Sequence, residues 1–318
     1  MSQLADKAKG DKLVGEVLAG SIRTASRLIS RAEACDSSIT PILKQLFCKA
    51  GDPVLLGITG PPGAGKSTLV NQLIQHYRKH DKCVAVLAVD PSSPFSGGAI
   101  LGDRVRMNQH AADPGVFIRS MASRGQLGGL AKATGDALSI LQAMNFDVII
   151  LETVGVGQSE VEIVRHASSV LVLQMPGAGD GVQSVKAGIL EIGDIYAVNK
   201  SDLPGADKLV TSLREMLQLS SKMHPWLPPV VAIQANTGAG IDRLVQHIGE
   251  HRDSIRSGGE VHASRARERV RYRVVEICRQ LLNESVFSGA GVTDTQLSAI
   301  ANHQQDPYTL AEKLVGVL

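Results

Sequence analysis

The chain has few of the features that mark nucleic-acid-binding or membrane proteins. Aromatic residues make up only 3% of its 318 residues, with one tryptophan, which argues against a protein that stacks single-stranded bases on aromatic side chains. Positive and negative side chains nearly balance, and the formal net charge of +2 indicates neither a nucleic-acid footprint nor a membrane-binding surface. A hydrophobic content of 43% is enough for one large core with appended segments.

Cysteine is also scarce, and the chain has only Cys35, Cys48, Cys83 and Cys278, with no C-x-x-C pair among them. This spacing argues against a disulfide framework or a cysteine-based zinc site and fits a reducing compartment. No apolar run approaches the length of a membrane span, and residues 1–12 lack the apolar centre of a signal peptide. We therefore expect a soluble, cytoplasmic protein.

The most informative stretch that is present is Gly60–Ser67, which reads GPPGAGKS. It follows the apolar run Val54–Thr59 and precedes a segment with helical spacing, so residues and context both match the phosphate loop G-x-x-x-x-G-K-[ST]. Its glycines let several backbone N–H groups converge on a polyphosphate, and the next helix adds the partial positive charge of its N-terminus. The predicted nucleotide contacts are Gly60, Pro61, Pro62, Gly63, Ala64, Gly65, Lys66, Ser67 and Thr68.

Two side chains of this loop have separate predicted tasks. Lys66 is placed to bridge the β- and γ-phosphates of a nucleotide, and the hydroxyl of Ser67 is placed to coordinate Mg²⁺. The alternative is an ordinary glycine-rich turn with a chance Lys-Ser pair. The eight-residue match between a strand and a helix favours the phosphate loop.

After the phosphate loop, short β-branched runs alternate with helical segments, which predicts an α/β fold with a mostly parallel sheet and helices on both faces. Ligands of such sheets bind at the carboxyl ends of the strands. The predicted strands are Val54–Thr59, Cys83–Val89, Val116–Arg119, Val148–Leu151, Val170–Gln174, Ile195–Val198 and Val230–Ile233. The predicted helices between them include Ser67–His80, Gly129–Met144, Ser159–His166, Ala206–Leu217 and Ile241–His251.

Carboxylates follow the second and fourth predicted strands. Asp90 and Asp103 bracket a glycine-containing loop, an arrangement that suits Mg²⁺ and a conformation dependent on the γ-phosphate. For Asp103, the N-cap of a helix over Arg104–His110 is an equally open interpretation. Glu152 and Gly155 follow the fourth strand as in nucleotide switches, where the carboxylate holds Mg²⁺ and the glycine N–H senses the γ-phosphate. Because no glutamine directly follows Gly155, we expect slow hydrolysis by the isolated protein.

A third glycine-rich stretch, Met175–Lys186, follows the fifth predicted strand. Its glycines favour rearrangement, and Asp180 and Lys186 are candidates for ion pairs that form in only one nucleotide state. An ordinary loop that leads into a helix is the open alternative.

The choice of base is indicated by Asn199-Lys200-Ser201-Asp202, which follows the sixth strand and matches the guanine-reading pattern N-K-x-D. An ionised Asp202 accepts hydrogen bonds from guanine N1–H and its 2-amino group, which adenine cannot offer, so GTP is favoured over ATP. Asn199 is expected to brace neighbouring loops, and the stem of Lys200 to lie along the base. The seventh strand leads into the predicted base-closing residues Gln234, Ala235 and Asn236, with the Ala235 N–H directed at guanine O6.

Helical segments flank this nucleotide core, so we divide the chain into an extension over 1–52, the core over 53–256 and an arm over 257–318. The extension is predicted to hold Leu13–Leu18, Ile22–Glu33 with a Ser21 cap, and Ile42–Cys48; it either covers the first strand or binds a partner. The arm is predicted to follow a hinge at Ser257–Gly259. Its segments are Ala263–Glu284, Thr295–Asn302 and Tyr308–Val317.

The long helix of the arm favours dimerisation, because a stripe of apolar residues at helical intervals must be buried against something. The stripe consists of Val270, Val274, Ile277 and Leu281. Alternating arginines spread around the same helix, which is typical of a solvated or partner-facing surface rather than an anion site. These are Arg265, Arg267, Arg269, Arg271 and Arg273.

Taken together, the segments GPPGAGKST, VDPSSPFSGGAILGDRVRM, RSMASRGQLGGLA, ETVGVGQSE and NKSD resemble the methylmalonyl-CoA mutase-associated GTPases, the family of the MeaB and ArgK proteins. The resemblance runs from about Leu13 to the C-terminus. It implies a homodimeric P-loop GTPase of the SIMIBI class that binds GTP or GDP with Mg²⁺. The implied task is to assist an adenosylcobalamin-dependent acyl-CoA mutase, gating the loading of intact cofactor and the removal of damaged cofactor.

In the terms of that family, Lys66 and Ser67 match phosphate and Mg²⁺ contacts, and Asp180 with Lys186 matches a third switch. The implied metal ligands are Ser67, Asp90, Asp103 and Glu152, and the implied catalytic residues are Lys66, Asp90, Asp103, Glu152 and Lys186. The sequence departs from the family at Gln234, where serine is more usual, and at Ser201, where alanine is common.

Two other functions compete with this interpretation. A metal-insertion GTPase needs soft or imidazole ligands near its switches, and the sequence has no Cys-Cys or Cys-His cluster there. An ATP-dependent kinase linked to amino-acid transport is disfavoured by Asp202, because that carboxylate selects guanine. A nucleotide-gated scaffold with negligible turnover differs from the GTPase only in rate.

Overall fold

The computed structural model describes residues 2–90, 110, 112–122, 129–153, 163–177, 192–220, 226–287, 292–302 and 304–316. The strands are β1 Val54–Thr59, β2 Val84–Asp90, β3 Val116–Ala122, β4 Val148–Thr153, β5 Ser169–Gln174, β6 Ile195–Val198 and β7 Val230–Ala232. The α-helices are α1 Ser2–Leu18, α2 Ile22–Glu33, α3 Thr40–Phe47, α4 Lys66–Lys79, α5 Gly129–Gln142, α6 Ala206–Ser220, α7 Ile241–Arg256, α8 Glu260–Phe287, α9 Asp294–Ala301 and α10 Pro307–Gly316. Short 3₁₀ helices occupy Ser37–Ile39 and Ile163–Arg165.

The described strands form one seven-stranded parallel sheet in the order β3-β2-β4-β1-β5-β6-β7. β1 lies in the middle, between β4 and β5, and leads into the phosphate loop. The register aligns Ile58 of β1 with Glu152 of β4, and Thr59 with Val172 of β5. All strands therefore end at one edge, where the loops predicted to bind nucleotide begin.

The predicted parallel sheet with helices is confirmed, and each predicted strand is present with its ends shifted by three residues or fewer. Helix predictions on the described residues also hold, with two exceptions: α1 begins at Ser2 rather than at Leu13, and Ser159–His166 is not an α-helix where it is described. Residues 159–162 of that segment lie outside the described part, and Ile163–Arg165 form a 3₁₀ helix. The predicted helix Arg104–His110 lies outside the described residues apart from its last residue.

The hydrophobic core has two layers because both faces of the sheet are covered. Strands β1, β4 and β5 are buried along their whole length, as expected for parallel strands between helices. On one face α4 and α7 contribute fully buried leucines, including Leu69, Leu73 and Leu244. On the other face, α1–α3, α5 and α6 pack against the sheet. Each leucine buried in this way stabilises the fold by roughly 1.5–3 kcal/mol.

The N-terminal helices belong to the second of these layers. The hydroxyl of Ser21 caps α2 by accepting a hydrogen bond from the Thr24 N–H at 3.3 Å, as predicted, and Leu28 and Ile29 are fully buried. Arg119 of β3 anchors the same helix, because its guanidinium donates to the carbonyl of Ser26 at 3.0 Å. The helical extension therefore packs on α5 and β3, on one face of the sheet. Its predicted roles, covering the first strand or binding a partner, stay predictions.

The chain divides into two compact units, Met1–Arg267 and Glu268–Leu318. The first holds the sheet and its covering helices, and the second holds the rest of α8 together with α9 and α10. The predicted boundaries at 52 and 257 stay predictions. In the part of the chain that the structure describes, no helix combines the length and apolar character needed to cross a bilayer.

A buried polar cluster lies at the amino-terminal edge of the sheet, opposite the predicted nucleotide edge. The carboxylate of Asp194 accepts hydrogen bonds from the Val170 N–H at 2.9 Å and from the Arg265 guanidinium at 2.7 Å. The ring of His251 lies 2.8 Å from the Ser169 hydroxyl through Nδ1 and 3.5 Å from Asp194 through Nε2. The cluster therefore joins β5, the entry to β6, α7 and the first turns of α8.

The imidazole of His251 is only 1% exposed, and its burial lowers its pKa. Asp194 acts to raise the pKa, whereas His262 and Arg265 act to lower it; burial is the largest of these effects. The folded protein consequently keeps this ring neutral at a pH where the unfolded chain binds a proton.

This shift predicts a loss of stability in acid. Above pH 6.5, the ordinary pKa of histidine, the free energy of unfolding has its full value. It falls as the pH drops from 6.5 toward the lower pKa that His251 has in the folded protein. Urea unfolding between about pH 7.5 and about pH 5.5 measures the slope, which His251→Gln should reduce because glutamine does not titrate there. A variant that keeps the parental slope would show that His251 is not the responsible group.

Candidate nucleotide site

The phosphate loop joins the end of β1 at Thr59 to the start of α4 at Lys66. Two of its glycines are required by close contacts as well as by backbone conformation. A Cβ atom on Gly60, where φ is 145°, would lie 2.2 Å from the carbonyl oxygen of Leu173. A Cβ atom on Gly65, where φ is 93°, would lie 2.4 Å from Nδ2 of Asn199. The loop is therefore held tightly against β5 and the guanine motif.

The side chain of Lys66 folds back over the loop that precedes it. Its ammonium donates to the carbonyl oxygens of Gly60 at 2.6 Å and Pro61 at 3.2 Å, and the residue is 7% exposed. Because the loop holds it in this way, the positive charge of Lys66 is concentrated where several backbone N–H groups also converge.

Ser67 and Glu152 come together although they are 85 residues apart in sequence. The hydroxyl of Ser67 donates to Oε1 of Glu152 at 2.8 Å, and Glu152 is 4% exposed near the end of β4. A hydroxyl and a carboxylate oxygen in this arrangement are hard donors of the kind that Mg²⁺ prefers. The residues present thus fit the predicted metal.

The other predicted switch residues are not brought together by described contacts. Asp90 is the last residue of β2, where its backbone aligns with Ala122 of β3. The remaining predicted residues lie outside the described part of the chain, and their roles stay predictions: Asp103, Gly155, Asp180 and Lys186.

On the base side, Asn199 joins the phosphate loop to the loop that follows β7. Its Nδ2 donates to the carbonyl oxygen of Ala64 at 2.7 Å, and its Oδ1 accepts from the Ala235 N–H at 2.9 Å. The side chain is buried, with 3% of the residue exposed, so both polar ends of the amide are satisfied inside the protein.

The base-closing loop is ordered by its own hydrogen bonds. Gln234 and Ala239 form an antiparallel bridge, and the Thr237 hydroxyl lies 3.3 Å from Oε1 of Gln234. The Ala235 N–H, predicted to reach guanine O6, instead donates to Asn199. The neighbouring N–H of Asn236 has no hydrogen-bond partner among the described residues, which makes it a candidate donor for that oxygen.

The two remaining residues of the guanine motif differ in their surroundings. Asp202 is exposed and has no ion pair within the described residues, so its carboxylate is accessible to a base. Lys200 has a left-handed backbone, with φ of 57°, and its ammonium lies 3.4 Å from the sulfur of Met175. The sequence did not predict a role for Met175, because it showed only that this residue begins a glycine-rich stretch.

The family model for the methylmalonyl Co-A mutase-associated GTPase MeaB matches residues 25–290. The chain belongs to the MeaB family. A relative in Pyrococcus horikoshii that carries a GTPase name is 44% identical over 313 residues, which cover 96% of this chain and 98% of that protein. The GTPase ArgK of Escherichia coli is 35% identical over 249 residues, which cover 77% of this chain and 75% of that protein.

Among solved structures, one described as "LAO/AO transport system kinase" matches with a TM-score of 0.69 and 25% identity, covering 98% of this chain and 97% of that chain. The MeaB-family match and the seven-stranded parallel sheet confirm the predicted fold class, a P-loop GTPase domain of α/β architecture. The chain is a GTPase of this family, as the phosphate loop and the N-K-x-D motif predicted.

In this MeaB-family protein, Asn199 offers a direct test of the geometry. We expect Asn199→Ala to weaken GDP binding by about tenfold, because it leaves the Ala64 carbonyl and the Ala235 N–H without their partner. Asn199→Asp should be at least as harmful, since it sets a carboxylate against the Ala64 carbonyl. Fluorescence titration with a labelled GDP gives the dissociation constants.

The matched control is Asn302→Ala, which changes an exposed asparagine at the end of α9 and should bind GDP like the parent. Parental affinity in both Asn199 variants would mean that the two loops keep their arrangement without this amide.

Proposed function

We propose that this MeaB-family GTPase assists an adenosylcobalamin-dependent acyl-CoA mutase, using GTP binding and hydrolysis to gate the loading of intact cofactor and the removal of damaged cofactor. The observation that carries the proposal is the family match over residues 25–290, since that family is described by its association with methylmalonyl-CoA mutase. The site geometry supports the nucleotide half of the proposal.

In the proposed reaction, the backbone of Gly60–Gly65 binds the phosphates, and Lys66 stabilises the negative charge that develops on the γ-phosphoryl group. Ser67 and Glu152, whose oxygen atoms lie 2.8 Å apart, would hold Mg²⁺. When bound, Mg²⁺ supplies positive charge to the β- and γ-phosphate oxygens. Asp90 and Asp103 complete the proposed metal-linked switch, and Lys186 is proposed to act from the third switch.

The proposed base site consists of Asp202 for guanine N1–H and the 2-amino group, the Lys200 stem along the ring, and the Asn236 N–H for O6. Asn199 acts as a positioning residue, because it already connects the two loops that flank the nucleotide. Binding adenine would leave the Asp202 carboxylate without a donor, which is the physical basis of discrimination.

A homodimer is part of the proposal. In the unit Glu268–Leu318, Val270, Val274 and Leu281 are 57%, 52% and 57% exposed, although helical spacing places them on one stripe. An apolar stripe exposed on a single chain is a typical contact surface for a second copy.

The competing functions have less support. The solved structure described as a transport system kinase shares the fold, but this chain has the guanine motif rather than any recognised phosphoacceptor site. A metal-insertion function would need a ligand cluster, and the described residues contain no group of three or more His, Cys, Asp or Glu side chains that could hold a metal ion.

Nucleotide preference separates the GTPase from the kinase. We expect calorimetry to show GDP and GTP binding at least about a hundredfold tighter than ADP and ATP, because only guanine satisfies Asp202. Asp202→Ala should remove most of this preference, whereas Asp207→Ala on α6 should leave it unchanged. Tighter binding of ATP by the parent would exclude the proposed base site.

The mutase partnership is tested with purified methylmalonyl-, isobutyryl- and 2-hydroxyisobutyryl-CoA mutases. Single-turnover GTP hydrolysis should rise by about tenfold or more with the correct mutase, because the partner completes the positioning of the attacking water. Transfer of adenosylcobalamin to that mutase, followed by its absorbance, should differ between GTP and a non-hydrolysable analogue.

Lys66→Ala is the control for that experiment, since it should stay folded yet hydrolyse no GTP with or without mutase. Native-lysate capture with the non-hydrolysable analogue extends the search to other mutases. If no adenosylcobalamin-dependent mutase binds or alters turnover, the partnership is wrong, while the nucleotide preference stands as a separate result.

A further inference from the structure

The end of β5 lies between the two loops that form the proposed guanine-nucleotide site. The carbonyl oxygen of Leu173 faces Gly60 of the phosphate loop, and the carbonyl of Gln174 accepts a hydrogen bond from the Asn199 N–H at 2.8 Å. The next residue, Met175, is partly buried and packs against the core layer that contains α4. The side chain of Met175, which directly follows β5, therefore lies between the phosphate loop and the guanine motif.

Met175 contacts the base motif through its sulfur. The ammonium of Lys200 lies 3.4 Å from Sδ, and this is the only hydrogen-bond acceptor for that ammonium among the described residues. A thioether is a weak acceptor, but a charged donor strengthens the contact. The left-handed backbone of Lys200, with φ of 57°, is costly for a lysine, so side-chain contacts that hold it in place matter.

The methyl group of Met175 lies near the phosphate loop. A Cβ atom built on Gly63 would lie 3.6 Å from Cε of Met175, which is ordinary van der Waals distance. The methyl group thus lies beside a residue with no side chain of its own, at a distance that would leave room for a Cβ atom. Its unbranched, polarisable side chain suits an irregular gap of this kind.

We propose that Met175 is a positioning residue for guanine-nucleotide binding: its sulfur holds the Lys200 side chain in place along the base, next to the phosphate loop. The inference rests on the proposed base site and is independent of the mutase partnership. Asn199, the first residue of the guanine motif, separately joins the phosphate loop to the loop that follows β7.

The test compares a substitution that removes only the sulfur acceptor with one that also removes the side-chain volume. Met175→Leu keeps the volume and loses the acceptor, and should raise the dissociation constant of GDP about threefold. Met175→Ala loses the acceptor and the side-chain volume, and should raise it about tenfold. The matched control is Met216→Leu, because Met216 is also partly buried but packs from α6 against the other core layer. Its GDP affinity should equal that of the parent.

A double-mutant cycle with Lys200→Ala distinguishes positioning from a general loss of stability. If Met175 acts through Lys200, Met175→Leu should have no further effect on GDP affinity in the Lys200→Ala background. The ratio of GDP to IDP affinity should stay parental in both Met175 variants, because Asp202 reads the 2-amino group that IDP lacks.

Additive effects in the cycle, or parental GDP affinity in Met175→Ala, would overturn the proposal. A parent that fails to bind GDP would instead overturn the base site on which the proposal rests. Thermal unfolding of each variant, measured alongside, identifies any affinity change that merely follows a loss of folded protein.

Discussion

The arrangement of the candidate site depends on one buried amide. Asn199 follows β6, yet its two polar ends bind the phosphate loop at Ala64 and the base-closing loop at Ala235. A buried amide that loses a hydrogen-bond partner costs free energy. Separating the phosphate loop from the base-closing loop would therefore destabilise the protein. Gly65 is required for the same reason, since any side chain there would collide with the Asn199 amide. The hydrogen bonds of Asn199 thus fix the separation between the predicted phosphate-binding and base-binding loops.

The two edges of the sheet have different roles. At the carboxyl edge, Ser67 at the start of α4 binds Glu152 near the end of β4, and Asn199 of the guanine motif binds the phosphate loop. At the amino edge, the buried carboxylate of Asp194 pairs with Arg265 and so joins strands to the first turns of α8. Parallel strands require this division, because every strand ends at the same edge and every connection must return across a face of the sheet.

The base-closing loop shows how a departure from the usual family residue is accommodated. Gln234 stands where serine is more common, and its side chain turns toward the Thr237 hydroxyl within the same loop. The bridge between Gln234 and Ala239 then closes the loop on itself. The Gln234 side chain thus makes its contact within the loop, while Asn199 binds the Ala235 N–H.

The sequence by itself determined the fold class, the seven strands and the phosphate loop, because these depend on local patterns: buried β-branched runs, helical spacing and a glycine-rich turn between them. The N-K-x-D motif was equally visible, since its four residues are contiguous. Tertiary structure alone decided the strand order, the pairing of Ser67 with Glu152, the partner of the Ala235 N–H and the place of Met175. Those contacts join residues far apart in the chain, and local spacing carries no information about which distant loops meet at one edge of a sheet.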